Sequence, residues 1–170
     1  MRRNTRFVPL LTLIIAVSVN GEAAAQKTTK GWSGKTACAL LSSAEIRQAA
    51  GRNDVANRTS HMDEDTQSSS NCQHWGAVDI TIHLGTETKV MFARQRDTYA
   101  KAPARLGYKI ERLSGIGDDA YYMSSRGTAE VRAMVGETDL AVSLSGSLPP
   151  ELDAKKMAVS LAKAAVAKLR

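Results

Sequence analysis

Two adjacent aspartates and one histidine are the residues best suited to acid–base chemistry. Asp118 and Asp119 follow Gly115 and Gly117 in a Gly-x-Gly-Asp segment, and His83 lies in a stretch of alternating apolar residues. Such groups could serve a small hydrolase or ligand-processing enzyme as general acid and base. An aspartate after a Gly-x-Gly turn also caps that turn with its side chain, and we favour this structural interpretation.

The spacing around His83 argues against a catalytic pair on its own strand. Asp79 shares the strand face of His83, but the two are about 13 Å apart along an extended chain. A base and its orienting carboxylate need hydrogen-bond contact. If the strand is continuous, His74 has the opposite parity and lies on the other face of the sheet.

A cation site is the second kind of chemistry that the residues suggest. His61 stands close to Asp63, Glu64 and Asp65, which offer nitrogen and oxygen ligands. Their spacing does not match a calcium-binding loop, and a polar surface role is the favoured interpretation of the histidines. We therefore expect no metal and no cofactor.

Two short motifs resemble catalytic signatures but lack their context. Gly34-Lys35-Thr36 ends like a phosphate-binding loop, yet Thr29 occupies the place of its first glycine and no strand precedes it. Ser160 and Lys163 have the Ser-x-x-Lys spacing of penicillin-binding enzymes without the two accompanying motifs. We therefore predict no catalytic residue, and Asp118, Asp119 and His83 remain the alternative.

The first 25 residues have the pattern of a secretory signal peptide. Three arginines precede an apolar stretch, and Ala23-Ala24-Ala25 provides small residues for cleavage. Cleavage near Ala25 would start the mature chain at Gln26, followed by a flexible lead-in over 26–37 and one domain over 38–170. No cysteine follows the small residues for lipid attachment, so we expect a soluble periplasmic or secreted protein.

Export to an oxidising compartment would allow the two cysteines to form a disulfide. Cys38 and Cys72 are the only cysteines of the chain, and such a pair in an exported domain favours a disulfide. The chain-entropy account assigns a bridge over this loop about 3.5–4 kcal/mol. A metal site or a redox pair fits less well, because there is no Cys-x-x-Cys spacing and no histidine cluster beside either thiol.

The charge balance excludes some classes of partner. The leader removes three arginines and one glutamate from 23 basic and 17 acidic residues, which leaves a mature net charge of +4. The basic residues are scattered and aromatic residues make up only 5% of the chain, so we do not expect nucleic-acid binding. No second apolar run is long enough for a membrane span.

Alternation and capping signals predict an α+β domain. In chain order they indicate a helix over 42–51, a long polar loop over 52–71, a strand over 78–84, a helix or hairpin strand over 88–101, strands over 108–113, 120–123, 129–135 and 140–144, and a last helix opened by Pro149-Pro150. The later strands form an antiparallel meander. We expect an N-terminal and a C-terminal helix to cover one face of this sheet.

Several short motifs resemble one family of small exported bacterial proteins. Cys38-Ala39-Leu40-Leu41-Ser42 is followed by Ala44-Glu45, a second cysteine with Trp75 shortly after it, the segment 115–120 and an alanine-rich last helix. The chain is in this respect similar to the lipoprotein-type domains of the DUF3558-like family. The resemblance implies a bacterial envelope protein with an α+β fold and a disulfide, and it carries over no catalytic residues.

These observations favour a non-enzymatic binding or interaction domain of the periplasm. The partner would be an envelope protein or a small ligand, and an inhibitor or immunity type of protein is one subclass. We expect the contact surface on the exposed sheet face and in the 52–71 loop. The alternative is a small envelope hydrolase or ligand-processing enzyme that uses Asp118, Asp119 and His83.

Overall fold

Seven strands and four helices make up the described part of the chain. The computed structural model describes residues 36–62, 69–102, 106–146, 148, 150 and 152–170, and of residues 60–62 it describes only the backbone. The elements, in chain order, are α1 (Ala37–Leu40), α2 (Ser43–Ala50), β1 (Arg58–Met62), β2 (Ser69–Trp75), β3 (Asp79–Thr86), α3 (Lys89–Ala100), β4 (Lys109–Leu113), β5 (Asp119–Ser125), β6 (Thr128–Val135), β7 (Thr138–Ser145) and α4 (Ala154–Leu169).

All seven strands form one antiparallel sheet in the order β1-β2-β3-β7-β6-β5-β4. The predicted meander is confirmed for β5, β6 and β7, and β4 extends it by one strand. A second meander, β1-β2-β3, comes from the N-terminal half. The two are joined where β3 pairs with β7 over the whole length of both strands.

One face of the sheet, here called the core face, carries the main apolar core. Ile82, Val142 and Val131 lie side by side on β3, β7 and β6 and are fully buried. Helices α1, α2 and α4 pack on this side. Because successive side chains of a strand alternate, His83, Ala141 and Arg132 lie on the opposite side, here called the second face.

Helix α3 lies on the second face, whereas α2 and α4 lie on the core face, which confirms the prediction that an N-terminal and a C-terminal helix cover one face. Phe92 of α3 packs on Tyr121 of β5 with their ring centroids 5.2 Å apart. The prediction of a helix over 88–101, rather than a hairpin strand, is confirmed. Thr88 caps it by accepting a hydrogen bond from the Met91 N–H. The domain is therefore an α+β fold with helices on both sides of its sheet.

The C-terminal helix buries the predicted apolar stripe against the core face. Its buried residues are Met157, Ala158, Leu161, Ala162, Ala165, Val166 and Leu169. The helix does not open at Pro149-Pro150, because Asp153 is the N-cap and accepts a hydrogen bond from the Lys156 N–H at 2.9 Å. Pro150 lies in a turn before it, and Pro149 is outside the described residues.

The N-terminal helices are fixed by a cap, a salt bridge and the disulfide. Ser42 and Glu45 form the predicted capping box, and α2 ends at Gly51 in the left-handed conformation, as expected. Glu45 also pairs with Lys168 of α4 at 2.7 Å. The predicted bridge between Cys38 and Cys72 is present and joins α1 to β2.

The long polar loop predicted over 52–71 is, among the described residues, correct only for 52–57 and is wrong where two strands occupy part of that span. Residues 58–62 form β1, and β2 already begins at Ser69. The sequence of β1 is almost entirely polar because it is an edge strand paired only with β2, so it lacks the apolar alternation by which strands are recognised. The acidic residues at 63–65 and residues 1–35, which include the predicted leader and most of the lead-in predicted over 26–37, lie outside the described residues. Ala37, at the end of that lead-in, is fully buried in α1 and so belongs to the domain.

Removing the disulfide should destabilise the domain. The bridge closes a loop with a sequence separation of 34 residues, so Cys38→Ala with Cys72→Ala should lower the free energy of unfolding by about 3.5–4 kcal/mol. Urea unfolding with and without reductant measures this. The reduced wild-type chain is the control, because it keeps both sulfur atoms and loses only the constraint. A reduced chain within about 1 kcal/mol of the oxidised one would contradict the prediction.

The stability of the N-terminal helices should depend on acid pH through Glu45. Hydrogen bonds from Lys168 and from Ser42 lower the pKa of Glu45 to about 2. The ionised form is thus favoured by folding, so this contribution is present above the unfolded-state pKa of about 4.3 and is lost as pH falls toward 2. Glu45→Gln should flatten the fall in unfolding free energy over that window.

Lys168→Gln separates the two causes of that pH dependence. The hydrogen bond from Lys168 is the largest cause of the lowered pKa of Glu45, so this variant should also flatten the fall in urea unfolding free energy between about pH 5 and pH 2. An unchanged pH profile in Lys168→Gln would show that the capping box alone accounts for the effect.

Candidate functional site

Asp118 is held in the turn before β5 by the backbone. Its Oδ2 accepts a hydrogen bond from the Gly136 N–H at 2.8 Å. Its own N–H donates to the Met134 carbonyl at 2.7 Å. These bonds tie the β4–β5 connection to the β6–β7 hairpin, which is the turn-capping role favoured from the sequence.

The two glycines before Asp118 have backbone reasons to be glycine. Gly117 has φ +59°, and a Cβ there would overlap the Met134 carbonyl oxygen. Gly115 has φ +74° but open space around it. Close approach of the chain to β6 therefore explains Gly117, and a positive φ explains Gly115, without a catalytic role.

Asp119 begins β5 on the second face and is occupied by two arginines. Arg96 of α3 donates to its Oδ2 at 2.8 Å, and Arg112 of β4 approaches the same oxygen at 3.5 Å. The Arg96 side chain is only 15% exposed. Asp119 thus connects α3 to the sheet through a charge-assisted hydrogen bond.

His83 lies on the second face in β3 and bonds to its cross-strand neighbour Asn71. The Nδ1–Oδ1 distance is 2.6 Å, and Nδ1 must donate because an amide oxygen only accepts. Burial lowers the pKa of His83, and the positive charge of Arg132 adds to this effect. The neutral ring therefore keeps Nε2 as an acceptor, and Nε2 lies beside Gly85.

The predicted acid–base residues do not come together. The strand order places β7 and β6 between the strand of His83 and the strand of Asp119, which is about 14 Å of sheet at ordinary strand spacing. Asp118 lies in a turn and is engaged with backbone groups. Asp79 shares the second face with His83 but stands at the other end of β3, as expected.

His74 faces the opposite side of the sheet from His83, as predicted, although the two lie on separate strands. It is buried on the core face of β2 with 1% exposure, so the surface role favoured for the histidines is wrong for His74, and burial lowers its pKa. Its Nδ1 is 3.1 Å from Thr59 Oγ1 and 3.4 Å from Ser43 Oγ. These hydroxyls connect β1 and α2 through the ring, so His74 serves packing. The side chain of His61 lies outside the description.

Sequence reasoning missed a buried ion pair that organises the second face. Arg132 of β6 and Asp139 of β7 form a two-point salt bridge, and their side chains are 12% and 4% exposed. Arg132 also donates to Gln95 of α3 and lies over the Phe92 ring. The register of the β6–β7 hairpin could have revealed this ion pair. Pairing of Met134 with Asp139 places the aspartate diagonally next to Arg132.

Tyr121 lies in the same cross-strand row as Arg132 and is fully buried beneath α3. Its hydroxyl has no hydrogen-bond partner of ordinary geometry within the described part of the chain. Burial raises the pKa of Tyr121 to about 12, while the charge of Arg132 works against that rise. The phenol is therefore neutral at physiological pH and suits packing with Phe92 better than proton transfer.

Beyond α3, the second face carries a patch of polar side chains on β2, β3, β7 and β6. We call it the polar half-face; its members are Asn71, Gln73, Thr81, His83, Glu130 and Ser143, all half-buried. Gln73, Thr81, Ser143 and Glu130 are consecutive cross-strand neighbours. The Ser143 hydroxyl donates to Glu130 at 2.6 Å. Most of these residues alternate along their strands with the apolar residues that form the core.

The described ranges contain neither a cluster of metal-ligating side chains nor a helix suited to span a membrane. There, no three His, Cys, Asp or Glu side chains lie close enough together to hold a metal ion. No helix in those ranges has the length and apolar character needed to cross a membrane.

The Gly-x-Gly-Asp turn offers a test of its structural role. Gly117→Ala should lower the free energy of unfolding by at least about 3 kcal/mol, because it adds a backbone clash to the strain of a positive φ. Gly115→Ala is the matched control and should cost only about 1 kcal/mol, since it meets open space. Urea unfolding of both variants measures the difference. Equal losses would contradict the close approach to β6.

The chain was compared with protein-family models, curated proteins and solved structures, and no relative was found. No family model matches the chain, and neither the curated proteins nor the solved structures contain a match. The similarity to the DUF3558-like family rests on the sequence motifs alone and stays a prediction.

Proposed function

We propose that the chain is an exported, non-enzymatic binding domain that holds an envelope protein through its polar half-face. The supporting observation is that helix α3 lies over β4, β5 and part of β6, while the polar side chains on β2, β3 and β7 and Glu130 of β6 lie beyond it. Buried polar groups in proteins are usually satisfied internally. A half-buried polar patch on rigid strands instead offers hydrogen-bonding groups to another molecule.

Several groups of this surface are already oriented. Asn71 holds the His83 ring, and Ser143 holds the Glu130 carboxylate. Binding to side chains that are fixed beforehand loses less conformational entropy than binding to free ones. The Glu130 carboxylate and the His83 Nε2 are acceptors, so the surface suits a partner that presents amide, lysine or arginine donors.

Export to the periplasm is part of the proposal. The leader pattern of residues 1–25 predicts it, and the Cys38–Cys72 disulfide is consistent with an oxidising compartment. A domain that blocks an enzyme of the envelope, as an inhibitor or immunity protein does, is the subclass we favour. The separation of His83 from Asp118 and Asp119 gives the hydrolase alternative no supporting geometry.

A charge placed in the centre of the polar half-face should abolish partner retention. Thr81→Arg inserts a bulky cation among Gln73, Ser143 and His83. Thr98→Arg, on the exposed side of α3, is the matched control. Tagged wild type and both variants are expressed with the leader in the producing bacterium, purified from the periplasm after crosslinking, and their retained proteins are quantified by mass spectrometry.

We expect one partner to be retained by wild type and by Thr98→Arg and to be lost from Thr81→Arg. All three chains should keep the same thermal unfolding midpoint within a few degrees, which excludes misfolding as the cause. Equal retention by Thr81→Arg, or a wild-type monomer with no retained partner at native levels, would refute the proposal.

A further inference from the structure

The free edge of the sheet at β4 forms one wall of a groove. β4 is the last strand in the order, so its outward N–H and C=O groups have no strand partner within the described part of the chain. Helix α4 forms the other wall. The groove has a volume of about 680 Å³, with Leu113 and Val159 at its apolar base.

The helix side of this groove is basic. Lys155, Lys156 and Lys163 line it from α4, and Arg112 lines it from β4. Lys155 is engaged by Glu111 at 2.6 Å, and Arg112 approaches Asp119. Lys156 and Lys163 are exposed and form no ion pair among the described residues. They are two helical turns apart on one side of α4, about 10 Å along its axis.

The position of Lys156 is unfavourable for the helix by itself. It lies in the first turn of α4, which contains no acidic residue after the Asp153 cap, and the N-terminal end of a helix dipole repels cations. Lys155 in the same turn is neutralised by Glu111, whereas Lys156 is not. The electrostatic field of this wall therefore favours an anionic occupant.

We propose that this groove binds an acidic segment of another protein in extended conformation, which adds to β4 as an eighth strand. Main-chain hydrogen bonds to β4 would supply affinity, and carboxylates on alternate residues would reach Lys156 and Lys163. The groove lies between β4 and α4 at the sheet edge farthest from β1, so this surface is separate from the polar half-face.

The charged residues of β4 have a second explanation, which is protection of the sheet edge against association. Lys109, Glu111 and Arg112 would by themselves discourage edge-to-edge association of the sheet. That explanation accounts for β4 but not for two unpaired lysines on the facing helix. It predicts that no peptide binds, so the two explanations give opposite results in a binding assay.

The probe is a fluorescent eight-residue peptide that alternates valine and glutamate, titrated into the disulfide-intact chain from Gln26 onward. Fluorescence anisotropy at ~50 mM and ~500 mM NaCl measures its affinity. The same peptide with alternate backbone nitrogens methylated keeps its charge and loses strand-forming donors. Hydrogen exchange at the amides of β4 reports strand addition directly.

Charge reversal of the two lysines should weaken binding. Lys156→Glu with Lys163→Glu should lower the affinity at low salt by about tenfold or more. Lys89→Glu with Lys101→Glu, at the exposed first residue and exposed C-cap of α3, changes the net charge equally and should leave the affinity within about twofold. The unmethylated peptide should slow amide exchange in residues 109–113, and the methylated one should not.

Four results would overturn the proposal. They are no binding of the acidic peptide, equal binding of the methylated peptide, equal loss in the two charge-reversal pairs, and full competition by millimolar inorganic phosphate. The second and third would indicate general attraction of polyanions, and the fourth a simple anion site. None of them bears on the polar half-face, whose test uses a different face and a different variant.

Discussion

The pairing of β3 with β7 is the interaction on which the rest of this structure depends. Two meanders from the two halves of the chain meet there, and eight residue pairs run from Asp79 with Ser145 to Thr86 with Thr138. Because side chains alternate strictly, a shift of β3 by one residue along β7 would turn Ile82 out of the core and His83 into it. The register of this pair thus determines both the buried face and the polar half-face.

Helix α3 shows how the second face is divided. The helix contacts the sheet through one apolar cluster, where Phe92 packs on Tyr121 and Met134. Its polar contacts with the sheet involve arginine side chains. Arg132 bonds to Gln95 and Arg96 bonds to Asp119, so two arginines connect helix and sheet. Since these groups are taken up by α3, the donors and acceptors left for a partner lie on β2, β3 and β7 and at Glu130 of β6. The same contacts that dock the helix therefore define where a ligand surface begins.

The sequence predicts best those elements whose own residues show a clear apolar periodicity. The strand over 78–84 and the last helix have clear periodicity, and both were found. β1 was missed because its stability comes from backbone pairing with β2, which leaves no trace in side-chain hydrophobicity. The face occupied by α3 could not be predicted, because only Phe92 of that helix is buried and the decisive contacts are ion pairs between distant residues.

The candidate sites divide in the same way. The cysteine pair could be assigned because the predicted compartment and the number of cysteines suffice, whereas an acid–base role for Asp118 and His83 stayed an alternative until the strand order separated them. The Arg132–Asp139 pair required the β6–β7 register, and the groove beside β4 required knowing which strand is last. Residue types therefore indicated what chemistry was available, and only the order of strands decided which groups could act together.

The Cys38–Cys72 disulfide makes the stability of the fold depend on oxidising conditions. Helix α1 has four residues, too few to be stable alone, and is held to β2 by Cys38–Cys72 and by the Ala37 N–H donating to Ser70 Oγ at 2.8 Å. Leu40 and Leu41 follow that anchor into the core. Reduction would release the anchor of α1 and so weaken the packing of these two leucines over β2 and α4. Oxidising conditions are therefore required for the full stability of the core face.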